Sequence, residues 1–354
     1  MSFFHGKRNG RRFFITSTGI AVLSLLPVLP PGTSAEKSVL NSKMFDLSAP
    51  ATELILEKPL HNGTVQQSFA FDNVNQHIYF AQLMSGGQQL PGEPGPVSGA
   101  ERARNGDMAL TKMDYAGNKL GHMFLKGFGH GVQIGVEVED GTAYLWTETD
   151  AVTEGSNGWG TKLARFKFED GKILTPDSPE LEKFSLIEGA DRTTVNIDVA
   201  HGLLTMRYRK DGVFRFAVFD LEEVKRHRYV PIADVPQPAM GTFQGFTSYG
   251  GYLYLLEGDG YGSNGSVDPI GNTYITVVNL NTGEVVDKQL ILAGNTLSWR
   301  EPEGMAIRLP KINNPYKAEL CFGFASNFPP SRLANIFSID RLLPEEAIKN
   351  SNRP

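Results

Sequence analysis

His130 and two glutamates are the side chains of this sequence best suited to proton transfer. His130 lies in GFGHGVQ, where three glycines allow the backbone to approach another group closely. An imidazole with Glu148 and Glu303 nearby could act as an acid, a base or a metal ligand. The residue types therefore favour His130 and Glu303 as candidate catalytic residues and Glu148 as a contact to a ligand.

A second group of candidates lies together in the segment WREPEG, which begins at Trp299. Paired carboxylates such as Glu301 and Glu303 suit glycoside hydrolysis. Trp299 and Arg300 suit a sugar, because an aromatic ring covers its apolar face and a guanidinium binds its polar edge. We expect Trp299 and Arg300 to contact a ligand.

Cofactor motifs are weak in this sequence. It contains no CxxC, HExxH, G-x-S-x-G or glycine-rich phosphate loop. The loop Glu257–Asp268 has some features of a calcium loop, but Tyr261 lies where an oxygen ligand belongs. We predict no cofactor and no metal site, with Ca²⁺ at this loop as the alternative.

The candidate residues lie at the start of a unit that recurs five times. A polar residue opens a short apolar strand, a second strand and a long loop follow, and two strands around a tight turn complete the unit. The opening residues recur at intervals of 48 to 66 residues and are Gln67, His130, Asn196, Gln244 and Glu303. A repeated four-strand unit is typical of a β-propeller. The sequence predicts an all-β, five-bladed β-propeller, with six or seven blades and a β-sandwich as alternatives.

Blade five lacks a fourth strand of its own in this pattern. The segment TELILEKPL, at residues 52–60, alternates as a strand does and precedes blade one. We expect it to complete blade five and close the ring, because closure removes exposed strand edges. The predicted organisation is a signal peptide over 1–35, a linker over 36–51, the propeller over 52–342 and a C-terminal tail over 343–354.

Residues 1–35 have the layout of an export signal. Basic residues precede an apolar run, Ile20 to Leu29, that is too short to span a bilayer. The pair Arg11-Arg12 is typical of the twin-arginine route, with an ordinary secretory signal or an uncleaved anchor as alternatives. We predict a secreted or periplasmic protein that has no membrane span after signal cleavage.

Charge and cysteine content exclude several classes of protein. The 354 residues carry 34 Lys and Arg against 39 Asp and Glu, and four of the basic residues lie before position 36. This acidic balance argues against binding of nucleic acid through its phosphates. The single cysteine, Cys321, lies in an apolar run and is expected in the core, so no disulfide can form within the chain. The oligomeric state stays open.

One face of the predicted propeller should carry the function. The connections into strand one and between strands two and three lie on the same face, and here they are long and rich in glycine and aromatic residues. The opposite face has short turns such as YAGN, EDGK and NTGE. Long loops on a rigid scaffold commonly carry binding or catalysis. We therefore expect the five opening residues to surround the mouth of a central channel on this loop-rich face.

Several segments, in this order, resemble a known family: QSFAFD, GFGHG, LWTE, GTFQGFT, REPEGMA and GFAS. They are similar to segments of the proteins named teichoic acid biosynthesis protein C and of the related propeller of phage receptor-binding and baseplate proteins. The resemblance covers residues 44–340. It implies a five-bladed propeller and, from the phage members, recognition of wall teichoic acid or its sugar decoration.

The leading hypothesis is an exported propeller that binds a cell-surface or extracellular glycan, such as a teichoic-acid-like polymer. The expected ligand contacts are Gln67, Asn196, Gln244, Trp299, Arg300 and Glu148. The first alternative is a glycan lyase or hydrolase that uses His130 or Glu303 as acid or base. The second is a propeller enzyme that acts on an exported small metabolite. Whether the protein is an enzyme stays open.

Overall fold

The structure is a computed structural model that describes residues 40–344, apart from the side chain of Pro315. The predicted signal peptide over 1–35 lies outside the described residues, as does the predicted tail from residue 345 onward. Within the described part, no helix is both long enough and apolar enough to cross a membrane.

Short strands account for nearly all the regular structure of the described residues. In chain order they are β1 (Thr52–Pro59), β2 (Gln66–Asp72), β3 (His77–Leu83), β4 (Met108–Asp114), β5 (Lys119–Leu125), β6 (Gly135–Glu139), β7 (Thr142–Thr149), β8 (Val152–Glu154), β9 (Asn157–Trp159), β10 (Lys162–Lys167), β11 (Ile173–Leu174), β12 (Glu182–Phe184), β13 (Asp191–Asp198), β14 (Leu203–Lys210), β15 (Val213–Asp220), β16 (Ala233–Pro236), β17 (Phe243–Tyr249), β18 (Tyr252–Glu257), β19 (Tyr274–Asn279), β20 (Val285–Leu290), β21 (Glu301–Arg308), β22 (Glu319–Ser326) and β23 (Leu333–Ile339). The helices are α1 (Gly99–Asn105), α2 (Leu221–Lys225) and a 3₁₀ turn at Pro315–Lys317.

The strands form five sheets arranged as the blades of a propeller. Blade one is β2-β3-β4-β5, blade two is β6-β7-β10-β12, blade three is β13 to β16, and blade four is β17 to β20. Blade five is β21-β22-β23 with β1 at its outer edge. The inner strands β2, β6, β13, β17 and β21 contact one another in cyclic order. The predicted five-bladed propeller is confirmed.

The N-terminal strand closes the ring, as the sequence predicted. β1 pairs antiparallel with β23, from Thr52 opposite Ser338 to Pro59 opposite Leu333. Ile55 of β1 is 2% exposed and belongs to the apolar cluster between blades five and one. The first and last strands of the propeller are therefore hydrogen-bonded partners, and this blade has no free outer edge at β23.

One strand assignment made from the sequence is wrong. Counting four strands per unit makes the segment KILT, at residues 172–175, the fourth strand of blade two, but β11 within this segment pairs in parallel with β5 of blade one. The fourth strand of blade two is β12, which pairs with β10. The outer edge of β5 was free to accept β11, and periodicity alone cannot tell which blade a two-residue strand will join.

The centre of the propeller is filled rather than open. The side chain of Gln133 is fully buried and crosses between blades: its Nε2 donates to the carbonyl oxygen of Met305 at 2.7 Å, and its Oε1 accepts from the backbone N–H of Phe246 and Met305 at 3.3 Å. A Cβ added to Gly304 would lie 2.6 Å from the Cα of Ser68. Because the inner strands approach this closely, the expected channel is reduced to a depression on the loop-rich face.

The segment expected to be an N-terminal linker packs against the propeller. Phe45 is fully buried and its N–H donates to the hydroxyl of Tyr254 at 3.0 Å. The hydroxyl of Ser42 donates to the carbonyl of Tyr249, at the tight turn between β17 and β18. Since this turn lies opposite the loop-rich face, residues 40–51 anchor the chain on the face away from the candidate site.

Candidate functional site

Four of the five inner strands carry a bulge near their first residue, each with one extra residue on the inner strand. The register shifts lie between Gln66 and Ser68, between Asp191 and Thr194, between Phe243 and Gly245, and between Pro302 and Met305. Bulges redirect side chains and are frequent beside functional sites. The bulges contain three of the predicted opening residues: Gln67, Gln244 and Glu303.

Blade three differs from its prediction. Its inner strand begins at Asp191, so its bulge contains Arg192 and Thr193, and Asn196 lies inside the strand. The side-chain oxygen of Asn196 accepts hydrogen bonds from Thr247 Oγ1 at 3.1 Å and from the N–H of Ser248 at 3.2 Å. Asn196 is 2% exposed and joins blades three and four. The prediction that it opens the strand is wrong, because five residues of the same strand, Asp191 to Val195, precede it.

A cavity of about 590 Å³ opens on the loop-rich face between blades five, one and two. The polar side chains on its wall are Gln67, His130 and Arg332, with the smaller Thr64 and Ser85. The remaining wall comes from the segments 63–65, 83–86 and 329–330, with Gly99 and Ala103 of α1. The structure thus brings two predicted residues, Gln67 and His130, to one cavity and adds an arginine that the sequence analysis did not select.

The loop over residues 86–107 is held against this cavity by a buried ion network. Arg102 of α1 is fully buried and donates to both carboxylate oxygens of Glu93 at 2.6 Å and to Asp107 at 2.9 Å. Lys126 also contacts Glu93 at 2.6 Å. Because its charges are all paired, this network fixes the wall of the cavity and leaves the recognition of a ligand to other groups.

Glu148 positions the histidine loop. One of its carboxylate oxygens accepts from the backbone N–H of His130 at 2.9 Å and of Gly131 at 2.7 Å, and the other accepts from Gly160 at 2.6 Å. A Cβ at Gly129 would lie 2.1 Å from this carboxylate, which explains the glycine there. Burial raises the pKa of Glu148 to about 7, and the three N–H donors act in the opposite direction. Glu148, predicted as a ligand contact, therefore acts here as a positioning residue.

His130 faces the cavity as a neutral ring. It stacks on Trp159 with ring centroids 4.8 Å apart, and the guanidinium of Arg192 lies 4.3 Å from the centre of the Trp159 ring. Burial and the charge of Arg192 lower the pKa of His130 to about 4. Its Nδ1 is buried and has no hydrogen-bond partner among the described residues. A neutral imidazole here can donate to or accept from a ligand.

Arg332 lines the cavity, and Trp299 packs against Arg332 without lining the cavity itself. The guanidinium of Arg332 lies 4.6 Å from the centre of the Trp299 ring, and Trp299 Nε1 donates to Glu301 Oε2 at 2.7 Å. Trp299 and Arg300 both adopt positive φ, 66° and 44°, which is unusual for two consecutive residues other than glycine. Such strain is concentrated at functional sites, and here it directs the two side chains to opposite sides of the loop.

Arg300 is a structural residue, contrary to its prediction as a ligand contact. It is 1% exposed and donates to the carbonyl oxygens of Ile291 at 2.7 Å and Ala293 at 2.8 Å, and to the hydroxyl of Thr273. Its guanidinium is therefore occupied by the loop that precedes β21. Gln244 is half-buried and donates to the carbonyl of Gly258 at 2.9 Å, which ties the start of β17 to the next loop.

Glu303 is a buried carboxyl group with no hydrogen-bond partner among the described residues. It is 4% exposed, and its backbone carbonyl accepts from Gln66 Nε2 at 3.2 Å. Burial, together with the nearby charge of Glu301, raises the pKa of Glu303 well above its usual range, although Arg332 acts in the opposite direction. The raised pKa favours the protonated form of Glu303, which is the form that can donate a proton.

The raised pKa values of the buried glutamates predict how the free energy of unfolding depends on pH. Since the folded protein holds the Glu303 proton more tightly than the unfolded chain does, the contribution of Glu303 to the free energy of unfolding falls as the pH rises above about 4.5. We expect Glu303→Gln to remove up to about 1.4 kcal/mol per pH unit from this dependence and to stabilise the protein most at high pH. Urea unfolding at several pH values from 5 to 8 measures the slopes. Equal slopes for the parent and for Glu303→Gln would contradict a raised pKa of Glu303. Glu148, whose pKa is also raised, is expected to leave a residual slope in the variant.

The groups that could hold a metal lie elsewhere. Among the described residues, the carboxylates of Glu137, Glu139 and Glu222 come within 4.8 Å of one another near the face of short turns. Lys225 contacts all three, at 3.1 Å from Glu137 and 2.5 Å from Glu222, so an ammonium group already occupies the cation position. In the loop Glu257–Asp268, the Asp259 carboxylate accepts from two asparagine amides and Thr242. Neither group offers free ligands to a cation.

The fold and the site together define a five-bladed propeller with a concave site on its loop-rich face, between blades five, one and two. A family model described as the phage five-bladed β-propeller receptor-binding platform domain matches residues 65–338. The chain belongs to this family. The resemblance noted in the sequence is thereby confirmed.

Two further proteins are similar to this chain, one in sequence and one in fold. The chain is 28% identical over 309 residues to the "Putative major teichoic acid biosynthesis protein C" of Bacillus subtilis (strain 168), and the match covers 84% of this chain and 64% of that protein. The tail fibre of Staphylococcus aureus phage P68 has a similar structure, with a TM-score of 0.64 at 21% identity, over 87% of this chain and 56% of the fibre chain. This chain therefore spans less than two thirds of either relative.

Proposed function

We propose that this protein binds an anionic cell-surface or extracellular glycan of the teichoic-acid type in the cavity on its loop-rich face. The observation that carries the proposal is the state of Arg332. This guanidinium lines the cavity, is 7% exposed, and among the described residues has one hydrogen-bond acceptor, the carbonyl oxygen of Asn327. No carboxylate of the described residues lies within 4 Å of its nitrogens.

A buried cation of this kind favours an anionic ligand. Burial lowers the pKa of Arg332, because a charge removed from water is destabilised unless an opposite charge compensates it. Glu301 and Glu303 are the nearby carboxyl groups and act in the opposite direction on the pKa of Arg332, but neither forms an ion pair with it, and Glu301 accepts from Trp299. A phosphodiester group of a polyol-phosphate chain would supply the missing acceptors in a bidentate geometry that suits arginine.

The other surfaces of the cavity suit the polyol or sugar part of such a polymer. Gln67 presents an amide and His130 a neutral imidazole, which can contact the hydroxyl groups of a sugar, and the mainly apolar remainder of the wall can contact its apolar faces. The overall acidity of the chain disfavours a polyanion at long range. Recognition therefore depends on the local cation, as expected for a specific site.

The relatives support the same ligand class. The matched family is one of receptor-binding platforms of phages, and the curated relative is named for teichoic acid biosynthesis. A ligand at the cell surface requires a protein outside the cytoplasm. Export through the signal predicted over 1–35, by the twin-arginine route, belongs to this proposal.

The test is binding of purified polyglycerol phosphate teichoic acid to the mature chain, measured by calorimetry and by thermal unfolding. We expect a raised melting temperature, because a ligand at 100 times its Kd adds about 2.7 kcal/mol to the free energy of unfolding. Dextran and polyglutamate control for a neutral glycan and for negative charge alone. If teichoic acids of polyglycerol and polyribitol type leave the melting temperature unchanged at saturating concentration, the proposed function is wrong.

A second candidate function is cleavage of the bound glycan, and Glu303 favours it. A carboxyl group with a raised pKa near Arg332 could protonate a leaving oxygen while the guanidinium binds the adjacent anionic group. His130 would be the second acid or base. Product analysis after incubation with the polymer distinguishes the two functions: products formed by the parent and not by Glu303→Gln indicate an enzyme.

A further inference from the structure

Five arginines of the described residues are at most 7% exposed, and they differ in what neutralises them. Arg102 and Arg165 are ion-paired with carboxylates, and Arg300 is held by backbone carbonyl oxygens. Arg207 and Arg332 have no carboxylate within 4 Å of their nitrogens among the residues described. Since an uncompensated buried cation is destabilising, these two positions call for an anion from outside the chain.

Arg207 is held in a rigid aromatic clamp. Its guanidinium lies 3.8 Å from the centre of the Phe214 ring and 3.9 Å from that of Phe243, the first residue of β17. Its Nε donates to Gln237 Oε1 at 2.8 Å, and its two terminal nitrogens have no acceptor within the described part of the chain. The clamp fixes the plane of the guanidinium without contributing any negative charge. Four N–H donors thus remain free in a preset orientation.

The charged groups around Arg207 favour the binding of an anion beside it. Burial and the nearby Arg192 lower the pKa of Arg207 to about 9, and Glu148 acts in the opposite direction. The Glu148 carboxylate, however, is occupied by three backbone N–H groups. Arg192 is ion-paired with Glu154 at 3.0 Å, which leaves part of its guanidinium to face Trp159. Two guanidinium groups close to one another are stabilised by an anion that binds both.

This cationic group is continuous with the Arg332 cavity. His130 lines that cavity and stacks on Trp159, and Trp159 in turn carries the guanidinium of Arg192. Trp159 Nε1 is buried without a partner among the described residues and adds a donor along this path. The loop-rich face therefore presents cations at both ends of a surface lined by His130 and Trp159.

We propose that Arg207, with Arg192 beside it, forms a second anion subsite, which binds another phosphodiester group of the polymer that occupies the Arg332 cavity. This inference rests on the proposed function for the identity of the polymer. The subsite selects a ligand with repeated negative charges, and a sugar carrying a single phosphate can occupy only one of the two positions. The gain in affinity with polymer length comes from tethering, because binding at one subsite raises the effective concentration at the other.

The test compares Arg207→Met with the parent, since methionine keeps an apolar stem between the two rings and removes the charge. Calorimetry with a long polyglycerol phosphate is expected to show affinity reduced about tenfold or more. Glycerol 3-phosphate can occupy each subsite separately, so the variant is expected to lose one of two sites for it and to keep the affinity of the site at Arg332. The melting temperature without ligand is expected to stay equal or rise, which would not happen if Arg207 had only a structural role.

The control is Arg226→Met, which removes the same charge from an exposed arginine of α2 that is paired with Glu223. If Arg207→Met fails to fold, Arg207→Lys replaces it, because an ammonium group keeps the charge but cannot form a bidentate pair. Unchanged affinity of either Arg207 variant for the long polymer overturns the subsite while the proposed function stands.

Measurements with inorganic phosphate test the Arg207 subsite independently of the proposed function. If the parent binds no teichoic acid, its stabilisation by phosphate is compared with that of Arg207→Met. A phosphate-dependent rise in melting temperature that is lost in the variant supports an anion subsite for a different ligand. An equal rise in both proteins, or a rise in neither, overturns it.

Discussion

Replacing Arg332 with glutamine is expected to weaken binding of polyglycerol phosphate about 10- to 100-fold. A hydrogen bond to a charged group contributes about 1.5–3 kcal/mol, and Arg332 has free donors on the cavity wall with no carboxylate within 4 Å. The change also removes a buried charge, so the free energy of unfolding is expected to change little. Calorimetry with the polymer and urea unfolding without it measure the two effects.

The matched control is Arg308→Gln. Arg308 ends β21 in the same blade and is ion-paired with Glu319 at 3.0 Å, on the side of the sheet away from the cavity. This variant is expected to bind the polymer as the parent does and to lose a modest amount of stability. Equal affinity of Arg332→Gln and the parent would exclude the cavity as the anion site.

Removal of the closing strand is expected to abolish the monomeric fold. A chain that begins at His61 lacks β1 and leaves β23 as an exposed edge, which favours association with other chains. It also lacks Phe45, Ile55 and Leu60, which are all nearly or fully buried. Losing each large apolar side chain costs about 2–5 kcal/mol, and the total stability of a domain is about 5–15 kcal/mol.

Circular dichroism during heating and size-exclusion chromatography measure this outcome. A chain that begins at Leu40 retains both β1 and the segment packed on the face of short turns, and it is expected to fold as the parent does. Adding a peptide of residues 40–60 to the shortened chain is expected to restore part of the transition. A folded monomer that starts at His61 would show that the ring does not depend on β1.

The blade pattern could be predicted from the sequence because propeller strands are local units. In β2 and β3, for example, apolar residues and a tight turn within about 20 residues specify a hairpin, and neighbouring blades repeat the same arrangement. The closing role of residues 52–60 followed from counting strands. β11 was assigned to the wrong blade, since its pairing depends on which sheet edge is free in space.

The candidate site was predictable only in part. Gln67, Gln244 and Glu303 were found because each opens a strand, and all three lie at bulges. Asn196 was predicted as an opening residue because the start of β13 was placed too far along the chain. Arg192, which lies in the equivalent bulge, was therefore not selected. Little signal was available, since residues 191–194 are all polar and the alternation of apolar and polar residues begins only at Val195.

By itself, the amino-acid sequence determined the class of fold, the number of blades, the strand that closes the ring and the face that carries the long loops. These follow from periodicity and turn residues, which act over short distances along the chain. Only the tertiary structure decided which charged side chains lack a partner. Arg102, Arg165, Arg207, Arg300 and Arg332 look alike in the sequence, and their roles differ because neutralisation depends on groups that are distant in the chain and adjacent in space.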